Sequence, residues 1–564
     1  MPVQITGKIE RHSYEEGLHL LDTVLPAIQL QAQEGFLDEI VRVRNTVPPA
    51  TEQPTQLEEQ QFQITHGGNN GTARDRPQYG ASRPKQSYSR KSMPRNLLIT
   101  LILIFSSVTE VGTAAPTLAF VHVNVIDATG APLQPDMTVI VAAQRIVAVA
   151  KSATARIPAD ATRIDGRGKY LIPGLWDMHV HMAFGDWIPP DEKITLPLFV
   201  ANGITGVRDM GGDIPVLTRW RADIDAGKLL GPRMIFAGPM LDGPTPRFPS
   251  SAPVANATDG AKVVSELEAQ GVDFIKIQSL IPRDGYFAAA RRARELGITF
   301  VGHVPDAVRA SEASEAGQRS IEHFTGIFEG CSTIEDQLIK GPKSLGRNVS
   351  TYDPQRARAL IALMAKNQTW QVPTLVWERG QWLIDDIDKS HDPRLQYAPA
   401  AWRDRTWPMF TKDIVKDLDT DPLPVRRQFV QMELDMTRAM FAAGVPFMAG
   451  TDTAAGVQVF PGFSLHEELA LFVKAGLTPM QSLQTATLNP AKFLHRESEM
   501  GTVEKNKLAD LVLLDANPLD DIENTRKIRA VVLAGRYLSR TDLDLMLRQV
   551  AATAAASRRH LTSR

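Results

Sequence analysis

The sequence predicts an α/β protein: a (β/α)8 TIM barrel with a small composite β-sandwich domain built from the segments before and after it. Eight apolar, β-branched runs alternate with helix-like stretches that end in glycine. Short strands with Gly, Pro and Asp turns flank that alternating region on both sides. A doubly wound open sheet is the alternative, but no Gly-rich phosphate loop follows the first strand, which favours the barrel.

The eight apolar runs are the predicted barrel strands. They occupy residues 171–181, 203–209, 233–238, 272–278, 298–304, 319–324, 369–375 and 445–452. Helical stretches such as ATDGAKVVSELEAQG and DGYFAAARRARELG lie between them. A long insertion, residues 376–444, separates the last two runs. Its four tryptophans either cover an apolar substrate or pack as core, and they are Trp377, Trp382, Trp402 and Trp407.

Changes in composition set the expected domain boundaries. We expect the barrel at 171–495, the β-domain at 116–170 and 496–540, and a polar helical tail at 541–564. Residues 1–92 are expected to form a leader, partly helical and then disordered, that need not belong to the mature protein.

Residues 93–115 have the layout of a secretory signal peptide, although 92 residues precede them. The stretch MPRNLLITLILIFSSVTEVGTAAP has a basic start, a short apolar run and small residues at Gly112 and Ala114. If translation begins at Met93, the protein is secreted or periplasmic, with no stable membrane association after cleavage. Otherwise the segment is an internal anchor or a buried strand, and an unused signal implies a cytoplasmic protein.

Composition narrows the class of partner. The chain has 564 residues, 43% of them hydrophobic and 22% charged, as in an ordinary globular protein. A net charge of −2 gives no reason to expect nucleic acid or an anionic membrane surface as a partner. The single cysteine, Cys331, excludes an intramolecular disulfide and a C-x-x-C zinc site. We expect a small-molecule substrate, and a homo-oligomer is compatible with this interpretation.

Polar residues stand at the carboxyl ends of the predicted strands, which face one mouth in a TIM barrel. They are His179 and His181 on strand 1, Lys276 on strand 4, His303 on strand 5, His323 on strand 6 and Asp452 on strand 8. Each histidine alone is more often a hydrogen-bonded strand-end residue, and Asp452 alone fits a helix cap. A lysine between isoleucines is harder to dismiss, because a central strand excludes an unpaired ammonium.

Together these six residues predict a binuclear metal site. A desolvated lysine is a nucleophilic amine that can capture CO2 as a carbamate, and the carbamate can bridge two cations. Four imidazoles and one aspartate would supply the remaining ligands.

The same stretches resemble the amidohydrolase superfamily, in particular its binuclear metal-dependent branch. The resemblance covers roughly residues 117–540. It rests on PGLWDMHVH, FIKI, VGHV, IEH and AGTD at the strand ends, and on GLTPMQSLQTATLNPAKFL and GTVEKNKLADLVLLDANPL after the barrel. The stretch ANGITGVRDMGG is similar to the prolidase and imidazolonepropionase-like members.

The resemblance implies roles for the six residues. His179, His181 and Asp452 would hold one divalent metal, His303 and His323 the other, and carbamylated Lys276 would bridge them. The donor set suits Zn²⁺. A hydroxide shared by the two metals would attack an amide or ester carbonyl, with Asp452 as general base and then general acid.

The resemblance also implies a range of substrates: first a dipeptide, then N-acyl amino acids, then aryl or cyclic amides. Two other residues are candidates for binding the substrate. Arg208 either binds a substrate carboxylate or pairs with a neighbouring acid. His466 either reaches the site or is only an N-terminal residue of a helix.

Two alternatives differ in class. A deaminase of the same superfamily usually works with one metal and lacks the bridging lysine. A non-catalytic binding protein on the same fold would be expected to have lost ligands, whereas all six residues are present here.

Overall fold

A computed structural model describes residues 117–562, apart from 186, 249, 342–343, 389 and 419–420. The predictions for residues 1–92 and 93–115 lie outside the described residues. The described residues belong to one compact unit, Val108–Arg564. Within them, no helix combines the length and apolar character needed to cross a bilayer.

The largest sheet joins strands from both ends of the described chain. Its order is β17-β16-β15-β5-β1-β2-β3, and β4 pairs with β1. The bridging pair is antiparallel β5–β15, with Ile172 opposite Val512. The bounds are β1 Leu118–Val125, β2 Gln134–Ala142, β3 Arg145–Lys151, β4 Thr162–Asp165, β5 Tyr170–Pro173, β15 Leu511–Leu514, β16 Ile528–Leu533 and β17 Arg536–Ser539.

Two further sheets contain only parallel pairs, and helices alternate with their strands, which gives a TIM-barrel-like α/β architecture. Their orders are β6-β7-β8 and β10-β9-β11-β12-β13-β14. The bounds are β6 Leu175–Val180, β7 Ile204–Asp209, β8 Arg233–Phe236, β9 Leu241–Asp242, β10 Ala252–Pro253, β11 Phe274–Ile277, β12 Thr299–Gly302, β13 Ser320–Glu322 and β14 Trp370–Val372.

The structure differs from the expected strands at the first and last runs. Residues 171–173 lie in the large sheet, so the parallel strands begin at Leu175. The run 445–452 makes one isolated parallel bridge, Phe447 to Gln371, and Thr453 directly after it makes another, to Val180. Asp452 has a φ of 57°, which is incompatible with extended backbone and interrupts a regular ladder there.

The helices cover the parallel sheets and fill the insertion. The main core lies between them and the strands, with Ile275, Phe300 and Phe447 among its buried members. The bounds are α1 Thr195–Ala201, α2 Ile214–Asp225, α3 Ala257–Ala269, α4 Arg283–Leu296, α5 Ala310–Glu315, α6 Ile327–Gly330, α7 Glu335–Lys340, α8 Leu345–Ser350, α9 Pro354–Asn367, α10 Leu375–Trp382, α11 Trp407–Leu418, α12 Leu423–Ala442, α13 Phe463–Ala475, α14 Pro479–Thr485, α15 Leu488–Phe493 and α16 Arg540–Thr562.

The C-terminal segment, expected as a polar tail, is the amphipathic helix α16. Its Leu543, Val550 and Ala554 are buried, and the helix packs against α1. The apolar positions recur at helical spacing, so one face of α16 belongs to the packed structure.

Candidate metal centre

The structure brings His179, His181 and Asp452 together at the carboxyl ends of the parallel strands. One ligand atom from each lies within 4.8 Å of the others, and all three residues are buried. Asp452 Oδ1 lies 3.4 Å from Nε2 of His179 and 3.2 Å from Nε2 of His181. The i, i+2 spacing of the histidines accounts for their common direction.

Backbone hydrogen bonds fix Asp452 beside β6. The Asp452 amide donates to the His179 carbonyl at 2.7 Å, and the His181 amide donates to the Thr453 carbonyl at 2.6 Å. The left-handed φ of Asp452 costs about 1–2 kcal/mol in a non-glycine residue, and such conformations cluster at functional sites.

His303 and His323 extend the cluster from the ends of β12 and β13. The His323 ring centroid lies 4.6 Å from that of His179 and 5.0 Å from that of His303. His323 Nε2 is 3.8 Å from Oδ2 of Asp452. His303 is half-buried and His323 is buried, so the four imidazoles form one continuous group.

Lys276 on β11 is the most unusual of the six residues. Its side chain is buried, and Nζ has no hydrogen-bond partner among the described residues. Its stem passes Gly302, where an added Cβ would lie 3.0 Å from Lys276 Cδ. Burial lowers the pKa of Lys276 to about 8, although the nearby Glu322 and Asp452 carboxylates act in the opposite direction.

Nδ1 of each of the four imidazoles faces a hydrogen-bond partner in the protein, so Nε2 is the ring atom that a metal would use. Nδ1 of His179 faces Glu322 at 2.8 Å, and Nδ1 of His181 faces the Gly211 carbonyl at 2.9 Å. Both partners are acceptors, which places the proton of each ring on Nδ1.

In the other two imidazoles the proton also lies on Nδ1, and a hydroxyl group accepts its hydrogen bond. Thr374 Oγ1 donates to the Pro373 carbonyl and therefore accepts from Nδ1 of His323, 2.6 Å away. Ser279 Oγ donates to Gln278 and accepts from Nδ1 of His303 at 2.8 Å.

These observations show that the residues fit a metal. Four imidazoles, the Asp452 carboxylate and the Lys276 amine are grouped at the strand ends, and the buried Lys276 Nζ and Asp452 Oδ1 atoms have no hydrogen-bond partner among the described residues. Burial also lowers the pKa of His179 and His323, the latter to about 3, so these rings are neutral as ligands must be. Burial acts likewise on His181, but Asp452 and Asp209 outweigh it and raise the pKa of that ring.

Arg208 lies behind the candidate metal ligands, and protein acceptors occupy its guanidinium group. Its Nη2 donates to both oxygens of Glu322 at 2.9 and 3.0 Å. Nε donates to the Met178 carbonyl and Nη1 to Ser320. Because the guanidinium is fully buried and occupied by protein acceptors, we do not retain Arg208 as a substrate-binding candidate.

His466 also lies away from the cluster. Nδ1 is 2.9 Å from Thr525 Oγ1, and Nε2 is 3.1 Å from the Asn202 carbonyl. The ring is buried between α13 and its neighbours, and burial lowers its pKa to about 3. These contacts are those of a packing residue, so His466 is also set aside as a substrate ligand.

Sequence reasoning missed the acids that support the ligands. Glu322 connects Arg208 to His179, and Asp177 accepts from the Thr451 hydroxyl at 2.7 Å. Asp209 accepts from the amides of Met182 and Gly211. Burial raises the pKa of both Asp177 and Asp209 to about 7. Asp177 lies inside an apolar strand, the same signal that singled out Lys276, whereas Asp209 and Glu322 are the last residues of β7 and β13.

The fold and the cluster define a class: metal-dependent hydrolases on a TIM-barrel-like scaffold. The chain belongs to the amidohydrolase family, whose sequence model matches residues 170–538. That family comprises metal-dependent hydrolases that act on C–N bonds.

Curated relatives match this chain over part of their length. An imidazolonepropionase from Shouchella clausii (strain KSM-K16) is 33% identical over 137 residues, which is 21% of this chain and 29% of that protein. The chain thus spans about a third or less of the curated relatives that it matches first.

Solved structures match over much more of the chain. The bottromycin amidohydrolase structure is 25% identical, covers 78% of this chain and 90% of its own, and has a TM-score of 0.62. A Xaa-Pro dipeptidase with methionine bound in its active site is 22% identical, covers 75% and 100% respectively, and has a TM-score of 0.57. The second likeness shows the fold alone.

Proposed function

We propose that this chain hydrolyses an amide bond of a small substrate, most readily a dipeptide or an N-acyl amino acid. The observation that carries the proposal is the convergence of the His179, His181 and His323 Nε2 atoms on Asp452 at the carboxyl ends of parallel strands, with the His303 ring beside that of His323. A cyclic amide is the second candidate, because an imidazolonepropionase is among the relatives.

We further propose the ligand assignment. His179, His181 and Asp452 would hold one divalent ion, and His303 and His323 a second. Lys276, as a carbamate formed with CO2, would lie between them, since its buried Nζ has no hydrogen-bond partner among the described residues. Imidazole with carboxylate suits Zn²⁺. When bound, such ions polarise a carbonyl and make water acidic enough to attack at neutral pH.

The protein's own residues would move the proton and hold the site. Asp452 Oδ1 has no hydrogen-bond partner by geometry among the described residues, so it is free to accept the proton of the attacking water. It would then pass that proton to the leaving amine, giving a carboxylate and an amine from the amide and water. Glu322, Thr374 and Ser279 keep the imidazoles oriented throughout.

Two finer features of the architecture belong to the proposal. The parallel strands, together with residues 445–452, would form one closed (β/α)8 barrel. The large sheet would form a separate composite domain. The isolated bridges of Phe447 to Gln371 in β14 and of Thr453 to Val180 in β6 support closure at that side.

A metal-supplemented hydrolysis screen tests the proposed function. The purified chain is assayed with dipeptides and N-acyl amino acids in the presence of bicarbonate and Zn²⁺, Mn²⁺ or Co²⁺. We expect hydrolysis, and about two metal ions per chain by elemental analysis. Absence of both metal and hydrolysis would refute the proposal.

Lys276→Ala tests the bridging role. We expect loss of activity and a lower metal content. Normal turnover in this variant would rule out a bridge at Lys276.

A further inference from the structure

A cluster of aromatic side chains adjoins the metal ligands. The Phe184 ring lies 5.7 Å from the His181 ring. Phe184 contacts Trp187 at 5.6 Å and Phe248 at 5.8 Å, and Trp187 contacts Phe410 at 4.6 Å. We call Phe184, Trp187, Phe248 and Phe410 the aromatic wall. It runs without interruption from a candidate metal ligand to the insertion.

Three separate segments build the aromatic wall. Phe184 and Trp187 follow β6, Phe248 lies between β9 and β10, and Phe410 comes from α11 of the insertion. A π-helical turn, Trp402–Thr406, precedes α11, and its Thr406 hydroxyl donates to the Trp187 carbonyl at 2.6 Å. Such turns occur frequently at functional sites.

Part of the aromatic wall is open. Phe184 and Phe410 are buried, whereas Trp187 and Phe248, stacked at a centroid distance of 4.2 Å, are only half-buried. The exposed aromatic surface of the wall therefore belongs to Trp187 and Phe248, which connect to His181 through the buried Phe184 ring.

The Nε1 atom of Trp187 is buried without a hydrogen-bond partner among the described residues, as are those of Trp220, Trp377 and Trp407. A buried indole N–H usually has an acceptor. Because Nε1 is buried and the rings of Phe248 and Phe410 lie against the indole, a ligand would contact the wall through its exposed apolar carbon atoms and not through this donor.

Exposed apolar side chains occur on neighbouring segments. Leu280 is 47% exposed and follows Ser279, whose hydroxyl holds His303. Met409 is 40% exposed and precedes Phe410 of the wall. Large exposed apolar residues are few among the described positions, and these two lie in segments that contribute to the site or to the wall.

We infer that the aromatic wall is a subsite for an aromatic or large apolar group of the substrate, beside the scissile amide. This inference rests on the proposed function. It deepens it by naming the substrate class: amides with a phenyl-sized group next to the reacting carbonyl or amine, in preference to small aliphatic amides.

Binding of unreactive acids tests the wall without any turnover. 3-Phenylpropionate and propionate are titrated into the full chain by calorimetry, with Trp187→Ala, Phe248→Ala and Tyr537→Ala in parallel. We expect at least a tenfold lower Kd for 3-phenylpropionate, a difference lost in the first two variants. Tyr537, a half-buried aromatic residue in the large sheet, is the matched control and should retain it.

A kinetic comparison then distinguishes failure of the aromatic subsite from failure of the proposed function. For N-acetyl-phenylalanine against N-acetyl-alanine, and for phenylacetyl-glycine against acetyl-glycine, we expect at least one series to favour the phenyl member about tenfold in kcat/KM. Hydrolysis without any such preference, or equal affinity for the two acids, overturns the subsite but leaves the proposed function standing. Absence of all hydrolysis refutes the function, while the binding experiment still decides the subsite.

Trp187→Ala alters a residue that anchors the insertion, so Phe248→Ala keeps the test decisive if the first variant does not fold. Circular dichroism and thermal unfolding establish which variants are native. A native Phe248→Ala protein that keeps the full preference for 3-phenylpropionate also overturns the inference.

Discussion

Replacing Glu322 by glutamine tests the buried charge network behind the metal cluster. Glu322 and Arg208 are both 0% exposed, and the carboxylate accepts from Arg208, His179 and Ser320. The amide side chain has the same shape but no charge. It would leave the guanidinium of Arg208 buried without its hydrogen-bonded counter-ion, and Asp177 would be the remaining nearby carboxyl group.

The expected loss of stability follows from the burial of both Glu322 and Arg208. Removing one member of a buried ion pair typically destabilises a protein by about 3–5 kcal/mol. Losing the acceptor of a ligand histidine typically weakens metal affinity by roughly 10–100-fold. We therefore expect Glu322→Gln to lower the free energy of unfolding by about 4 kcal/mol in metal-free protein, with weaker metal binding as a separate effect.

Urea denaturation in the presence of a chelator measures the first effect, followed by both circular dichroism and fluorescence to check that the transitions coincide. The control is the double variant Arg208→Met/Glu322→Gln, which removes both charges and should be more stable than Glu322→Gln alone. A single variant within about 1 kcal/mol of wild type, or a double variant no more stable than the single one, would refute the reasoning.

Three further predictions concern packing, pH and metal. Gly450→Ala places a Cβ 2.8 Å from His179 Cβ. This variant should lower the free energy of unfolding by about 1–3 kcal/mol, measured by heat or urea, and should also lower the metal content. Gly380→Ala in helix α10 is the control and should be neutral or stabilising. Equal stability changes in the two variants would contradict the prediction. Burial raises the pKa of Glu468 to about 8, so the native state keeps a proton that the unfolded chain releases above about pH 4.5. The free energy of unfolding should therefore fall as the pH rises from about 4.5 to 8, and Glu468→Gln should flatten this pH dependence in urea titrations of metal-free protein. An unchanged pH dependence in that variant would disprove the raised pKa of Glu468. Removing metal with a chelator should lower the Tm and abolish hydrolysis, and added Zn²⁺ should restore both; an active metal-free protein would exclude the metal role.

The strand-end residues could be predicted from the sequence because strand periodicity and βα spacing constrain where a side chain points. His179, His181 and Asp452 do converge in the structure, and His323 joins them. Their role as metal ligands remains a prediction.

The hydrogen-bond partners of the candidate ligands could not be predicted from the sequence. The end of β7 is visible in the sequence, but the acid that meets Arg208 is Glu322, 114 positions away. Only packing selects that acid from its neighbours. The irregular last strand could not be predicted either, because an aspartate is compatible with the left-handed backbone of Asp452 but does not require it.

The pairing of β5 with β15 has a consequence for synthesis on the ribosome. The two strands lie about 340 residues apart in sequence, which corresponds to roughly 20–70 s of translation at typical rates. During that interval one edge of β5 carries unpaired backbone donors and acceptors, the kind of edge that recruits other chains. Protein released before β15 is made would keep that edge open, so premature termination after the parallel strands should yield aggregates even though every candidate metal ligand is already present.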